Sequence, residues 1–102
     1  MANRHLSRSV VLQTLFEWDL RNYSATAVAE ALVRNGAEAT PNGNDQPFME
    51  ELLKGVITRR PDLDLVIEKA APEWPIARIA PVDRNVLRLG LYELLFADRE
   101  KV

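Results

Sequence analysis

The sequence predicts an all-α protein, a helical bundle of about five helices, on three observations. Apolar residues recur at three- and four-residue spacings along most of the chain. No stretch alternates apolar and polar residues as a half-buried strand does, and no internal repeat stands out. Glycine and proline gather at a few points, dividing the chain into segments of helical length. At 102 residues and 47% hydrophobic, the chain fits one domain over 1–102 that can bury a modest core without a metal or disulfide.

In order, Met1 to Asn3 read as a lead-in and Arg4 to Asn22 as the first helix. Leu6, Val10, Val11, Leu12, Leu15, Phe16 and Trp18 form its apolar surface, against Ser7, Thr14, Glu17 and Arg21. Ser24 or Thr26 caps a second helix that runs to about Asn35, with Gly36 as its terminating residue. Residues 36–47, with Asn42-Gly43 and two prolines, read as a loop. A third helix follows from Pro47 to Arg59, with Phe48, Met49, Leu52, Leu53 and Val56 on a buried stripe. Pro61 ends it, Asp62 caps a fourth, and Leu63, Val66, Ile67 and Ala70 carry the pattern to Ala71. Pro72 and Pro75 then force a turn around Trp74.

The last helix opens with Pro81 at a position where a missing N–H costs nothing, and Asp83 places a carboxylate at the positive end of the helix dipole. From Val86 to Phe96 apolar residues occupy nearly every angle, which predicts a buried helix. Arg84 and Arg88 share one face near its start, with their stems packed and their heads at the surface. Gly90 reads as the point where another helix crosses closely.

Composition excludes most chemistry. There is no cysteine, which removes thiol catalysis, thiolate metal sites and disulfides and suits a reducing cytosol. One histidine, His5, makes a histidine metal cluster implausible and leaves no Ser-His-Asp set. No glycine-rich phosphate loop is present, and the acidic pairs Glu50-Glu51, Asp62-X-Asp64 and Asp98-X-Glu100 read as exposed faces and caps. The expectation is a protein that is not an enzyme and takes no cofactor or metal. No apolar run approaches the roughly 18 residues of a membrane span, and no signal-peptide core occurs, so a cytoplasmic protein without a membrane role is expected. A net charge of −2 argues against a broadly basic nucleic-acid binder and confines any RNA contact to a local patch. Such a patch exists at the start of the first helix, where Arg4 and Arg8 flank His5 and no acid occurs before Glu17. Two solvated arginines are the plainer explanation. Trp18, Tyr23 and Trp74 are candidates for base stacking but sit in or beside apolar patterns that favour core packing.

The order of residues adds a resemblance. Arg8 followed by Leu12-Gln13-Thr14-Leu15-Phe16-Glu17-Trp18-Asp19-Leu20 resembles the opening helix of the NusB transcription antitermination factors. Leu52-Leu53-Lys54-Gly55-Val56, Leu63-Asp64, Trp74, Arg78 and the run from Val82 to Leu94 are similar to the family's central signature, in its order and spacing. Together these segments cover most of the chain. The resemblance implies an RNA-binding factor that pairs with the ribosomal small-subunit protein NusE. The pair binds boxA-like RNA and helps the transcription elongation complex, notably on ribosomal RNA operons, resist termination. It implies RNA contact through Arg4, His5 and Arg8, and NusE contact through Asp83, Arg84, Arg88 and Tyr92.

NusB proteins usually continue for several tens of residues past the equivalent of Val102, so the resemblance also implies a C-terminal bundle that is incomplete here. An apolar helix with nothing after it would expose a large patch, predicting a homo-oligomer or a poorly stable monomer. Two other readings remain open at this level. One is the NusB-like accessory domain of a ribosomal RNA cytosine methyltransferase, and the other is a helical interaction module without an RNA role.

Overall fold

Four α-helices make up most of the computed structural model, which describes residues 4–39 and 46–97. They are α1 (Arg4–Leu20), α2 (Ala25–Ala39), α3 (Gln46–Ala70) and α4 (Pro81–Tyr92). A short 3₁₀ turn (Ile76–Arg78) precedes α4, and a π-type turn (Glu93–Ala97) follows it. Among the described residues there is no strand, and no helix is long and apolar enough to cross a membrane. The chain divides into two compact units, Met1–Leu53 and Lys54–Val102, and the boundary falls inside α3.

In the first unit α1 packs along α2. Val10, Val11, Leu15 and Trp18 of α1 are buried, as are Val28, Ala31 and Leu32 of α2 and Met49, Leu52 and Leu53 of α3. Helix α1 stops two residues earlier than periodicity predicts, because Asn22 and Tyr23 take left-handed backbone angles (φ 55° and 63°). Tyr23 is unusual there, and its N–H bonds the Trp18 carbonyl at 2.8 Å while its ring meets the Trp18 ring edge-on at 4.7 Å. Ser24 then caps α2: its Oγ accepts from the Ala27 N–H at 3.3 Å. Gly36 does not end α2, as expected from sequence, but lies buried within it. A Cβ at Gly36 would sit in ordinary contact with Gln46 and Met49, so packing against α3 carries the helix past its stop signal. The predicted loop at Thr40–Asp45 lies outside the described residues, as do Met1–Asn3 and Asp98–Val102.

The second unit corrects the expected count of helices. Pro61 sits within α3 instead of separating two helices. Proline removes one backbone hydrogen bond and crowds the preceding turn, a loss of about 3 kcal/mol in an exposed helix. Three features oppose it. The buried register of Val56, Leu63 and Ile67 runs through the proline without a phase break, and Pro61 itself faces solvent. Two ion pairs, Arg59 to Asp62 (3.8 Å) and Arg60 to Asp64 (3.5 Å), also bridge it.

Helix α4 starts as predicted, with Pro81 in its first turn, no side-chain cap at Ala80, and Asp83 near the dipole end. Its orientation differs from the expectation of a helix buried all round. Asn85 and Arg88 are fully buried together with Leu89 and Tyr92, while Val82, Val86 and Leu87 are exposed. The cause is Asp64 on α3. Arg88 grips its carboxylate with two hydrogen bonds, Nε to Oδ1 at 2.7 Å and Nη2 to Oδ2 at 3.0 Å. Arg88 Nη1 donates to Asn85 Oδ1 at 3.0 Å, and Asn85 Nδ2 donates to the Pro81 carbonyl at 2.7 Å. This satisfied network sets the inner face. The close crossing also moves: nothing lies within 4 Å of a Cβ at Gly90, whereas one at Gly55 would overlap the Tyr92 ring.

Candidate functional site

The start of α1 and the first turn of α3 form the basic candidate site, inside the first unit. Ser7 and Val11 are buried and hold one face of α1 inward, leaving Arg4 and His5 exposed and Arg8 half-buried. Ser9 Oγ donates to the His5 carbonyl at 3.2 Å. Phe48 of α3 reaches the same place. Arg4 Cζ stands 3.9 Å from the centroid of the Phe48 ring and Arg8 Cζ 5.6 Å from it. The two arginines are therefore not simply solvated: one aromatic ring gathers both. Neither α1 nor α3 has an acid in its first turn, so two helix N-termini add their positive ends to the guanidinium charges. Glu50 lies on α3 nearby in sequence and accepts a hydrogen bond from Gln46 at 3.1 Å.

Sequence reasoning placed Phe48 on a core stripe and missed this role. Its half-buried state one position before fully buried Met49 is the feature that separates it from the stripe.

Farther along the same unit a polar cluster joins α1 to α2. Asn35 Nδ2 donates to Glu17 Oε2 at 2.8 Å and to Thr14 Oγ1 at 3.3 Å, and Arg34 pairs with Glu17. The Asn35 hydrogen bond, against the opposing effect of burial and helped by Arg34 and Arg21, holds the Glu17 carboxyl below its ordinary value.

The second unit carries Asp83, Arg84, Arg88 and Tyr92, for which the resemblance implies partner contact. Asp83 is exposed and lines a cleft of about 430 Å³ with Trp74, Pro75, Arg78 and Ile79. Trp74 is 66% exposed, contrary to the core packing expected of it: it sits in the turn between α3 and the 3₁₀ segment, on one wall of that cleft. Arg84 is half-buried, its Nη1 donating to the carbonyls of Ile76 (3.1 Å) and Ile79 (3.3 Å), which ties the 3₁₀ turn to α4. Arg88 does not bring its charge to the surface as expected but is fully buried on Asp64, and Tyr92 is buried at 5% exposure. Asp64 itself is mostly enclosed, at 14% side-chain exposure, and is not the exposed cap that its sequence context predicts. Among the described residues no group of acids and histidines has the arrangement to hold a metal ion.

Among the described residues, an all-helical fold with an arginine pair at the start of its first helix and an Asp-Arg-Asn lock under its last defines a small all-α protein. The NusB family profile matches residues 5–102, and the chain belongs to that family. It is 38% identical over 96 residues to the transcription antitermination protein NusB of Desulfitobacterium hafniense, covering 92% of this chain and 63% of that one. With the namesake of Chloroflexus aggregans it shares 36% over 100 residues, 98% of this chain and 65% of the relative. The Streptomyces coelicolor protein of that name is 36% identical over 98 residues, 96% and 69% of the two chains. The chain thus spans a little under two thirds of the length of the first two relatives. No solved structure matches it.

Proposed function

We propose that this chain works as a transcription antitermination factor without catalytic activity in the cytoplasm. It binds boxA-like RNA at the α1 start, together with NusE, within the transcription elongation complex. The observation that carries the reading is the convergence of Arg4 and Arg8 on Phe48 beside two acid-free helix N-termini. Guanidinium groups held this way present fixed hydrogen-bond donors to phosphate, and His5 adds a donor on the exposed turn between them. A chain of net charge −2 binds RNA through such a local site and not through its overall field.

NusE contact belongs to the solvent side of α4. Asp83 and the exposed Val82, Val86 and Leu87 form its surface, while Arg84, Arg88 and Tyr92 hold the helix in place from beneath. An apolar strip with one carboxylate at its end offers contact area from the aliphatic groups and orientation from the charge.

The experiment is binding of a labelled boxA-like RNA to the chain with and without NusE at two salt concentrations. The reading expects affinity that depends on NusE, weakens with salt, rejects a scrambled RNA, and falls steeply for Arg4→Glu with Arg8→Glu. Undiminished binding by that double variant would place the RNA elsewhere.

A further inference from the structure

A pair of arginines by itself attracts any polyanion, but Arg4 and Arg8 are not equivalent here. Arg4 Cζ lies 3.9 Å from the Phe48 centroid, the separation of a guanidinium resting on the ring face, and the side chain remains exposed. Arg8 Cζ, at 5.6 Å, is within the ring's electrostatic reach but beyond face-to-face contact. Phe48 is half-buried at the start of α3 and so forms a fixed base for both. A guanidinium placed over a ring in this way is restrained before any ligand arrives, and it keeps its planar surface as well as its charge. Unpaired RNA bases stack on such planes, whereas the bases of an A-form duplex are already stacked and turned inward.

Resting on the RNA-binding reading above, we propose that Arg4, laid on Phe48, is a stacking platform for one unpaired base of single-stranded RNA, while Arg8 holds a neighbouring phosphate. Arg4 then contributes shape and Arg8 charge, which makes the two residues separable by conservative substitution.

The test uses the full chain with NusE and a short single-stranded boxA-like RNA carrying 2-aminopurine at each position in turn, at two salt concentrations. Wild type should quench the fluorescence of one position strongly. Arg4→Lys, which keeps the charge and loses the plane, should abolish that quench and weaken binding about tenfold with the salt dependence unchanged. Phe48→Leu should act in the same way by releasing Arg4. Arg8→Gln should retain the quench and lower the salt slope by about 0.7. Because Arg4 is exposed, Arg4→Lys decides the matter even if Phe48→Leu fails to fold. Equal binding and quenching by Arg4→Lys, absence of any quenched position, or equal affinity for duplex RNA overturns the platform and leaves the RNA-binding reading in place. Absence of RNA binding by wild type overturns both.

Discussion

Two glycines on facing helices should answer the same substitution with opposite sign. Gly55 lies in α3 where a Cβ would stand 2.6 Å from Cε1 of Tyr92 and closer still to Cζ and the hydroxyl. Tyr92 is 5% exposed, so its ring has little room to retreat. Gly55→Ala recovers about 1 kcal/mol of helix propensity. The overlap forces the ring or the helix to move, and overpacking of that kind costs about 1–3 kcal/mol. A collision this close belongs at the upper end, giving a net loss of about 2 kcal/mol. Gly90→Ala makes the same propensity gain with nothing within 4 Å to oppose it, so it should stabilise by about 1 kcal/mol. Equilibrium urea unfolding of both variants reads the difference directly as a shift of midpoint at constant slope. Adding Tyr92→Leu to each background removes the ring, and the penalty at Gly55 should shrink while the gain at Gly90 persists. Equal responses at the two glycines, or a stabilising Gly55→Ala, would refute the crossing of α3 and α4 at Gly55.

Arg88→Met removes the two-pronged partner of Asp64 and leaves it the longer ion pair with Arg60, so the loss should be about 3 kcal/mol by denaturant unfolding, the low end for a broken buried pair. Adding Asp64→Ala should recover part of it, whereas a loss below about 1 kcal/mol would deny the network its role in seating α4. Glu17 is more acidic in the folded chain than its unfolded value of about 4.3. Its contribution to stability is therefore present above that value and is lost as pH falls through the lower folded pKa. Asn35→Ala removes the main cause of the shift and should flatten this acid limb in unfolding curves taken at a series of pH values. Asp83→Lys reverses the charge beside the positive end of α4 and should cost about 1 kcal/mol of stability, too little to unfold the helix. It should slow association with NusE in stopped-flow mixing, and an unchanged rate would remove Asp83 from the encounter surface.

Signals that act within a turn or two of the chain were legible from the sequence. The Arg4 start of α1, the Ser24 cap, the Pro81 opening of α4 with Asp83 behind it and the absence of strands among the described residues all follow from local periodicity and capping. So does the Arg4–Arg8 pair, whose spacing puts both on one helix face. The motif order from Leu12 to Leu94 was enough to indicate the family. Only the tertiary structure decided which side of α4 faces inward. Eight apolar residues between Val86 and Phe96 favour no single direction, and the choice rests on Asp64, which lies 24 positions before Arg88 and meets it from α3. The same holds at Pro61, where packing and bridging ion pairs outweigh a local break, and at Gly55, whose need for a missing side chain exists only because Tyr92 arrives there. Phe48 shows the limit most plainly. As a residue it is one more apolar position on α3, and its significance comes from two guanidinium groups that α1 brings to its ring. Local preferences are set by the backbone of a few neighbours, whereas the energy of a buried charge, a close crossing or a stacked cation depends on partners that only the folded chain assembles.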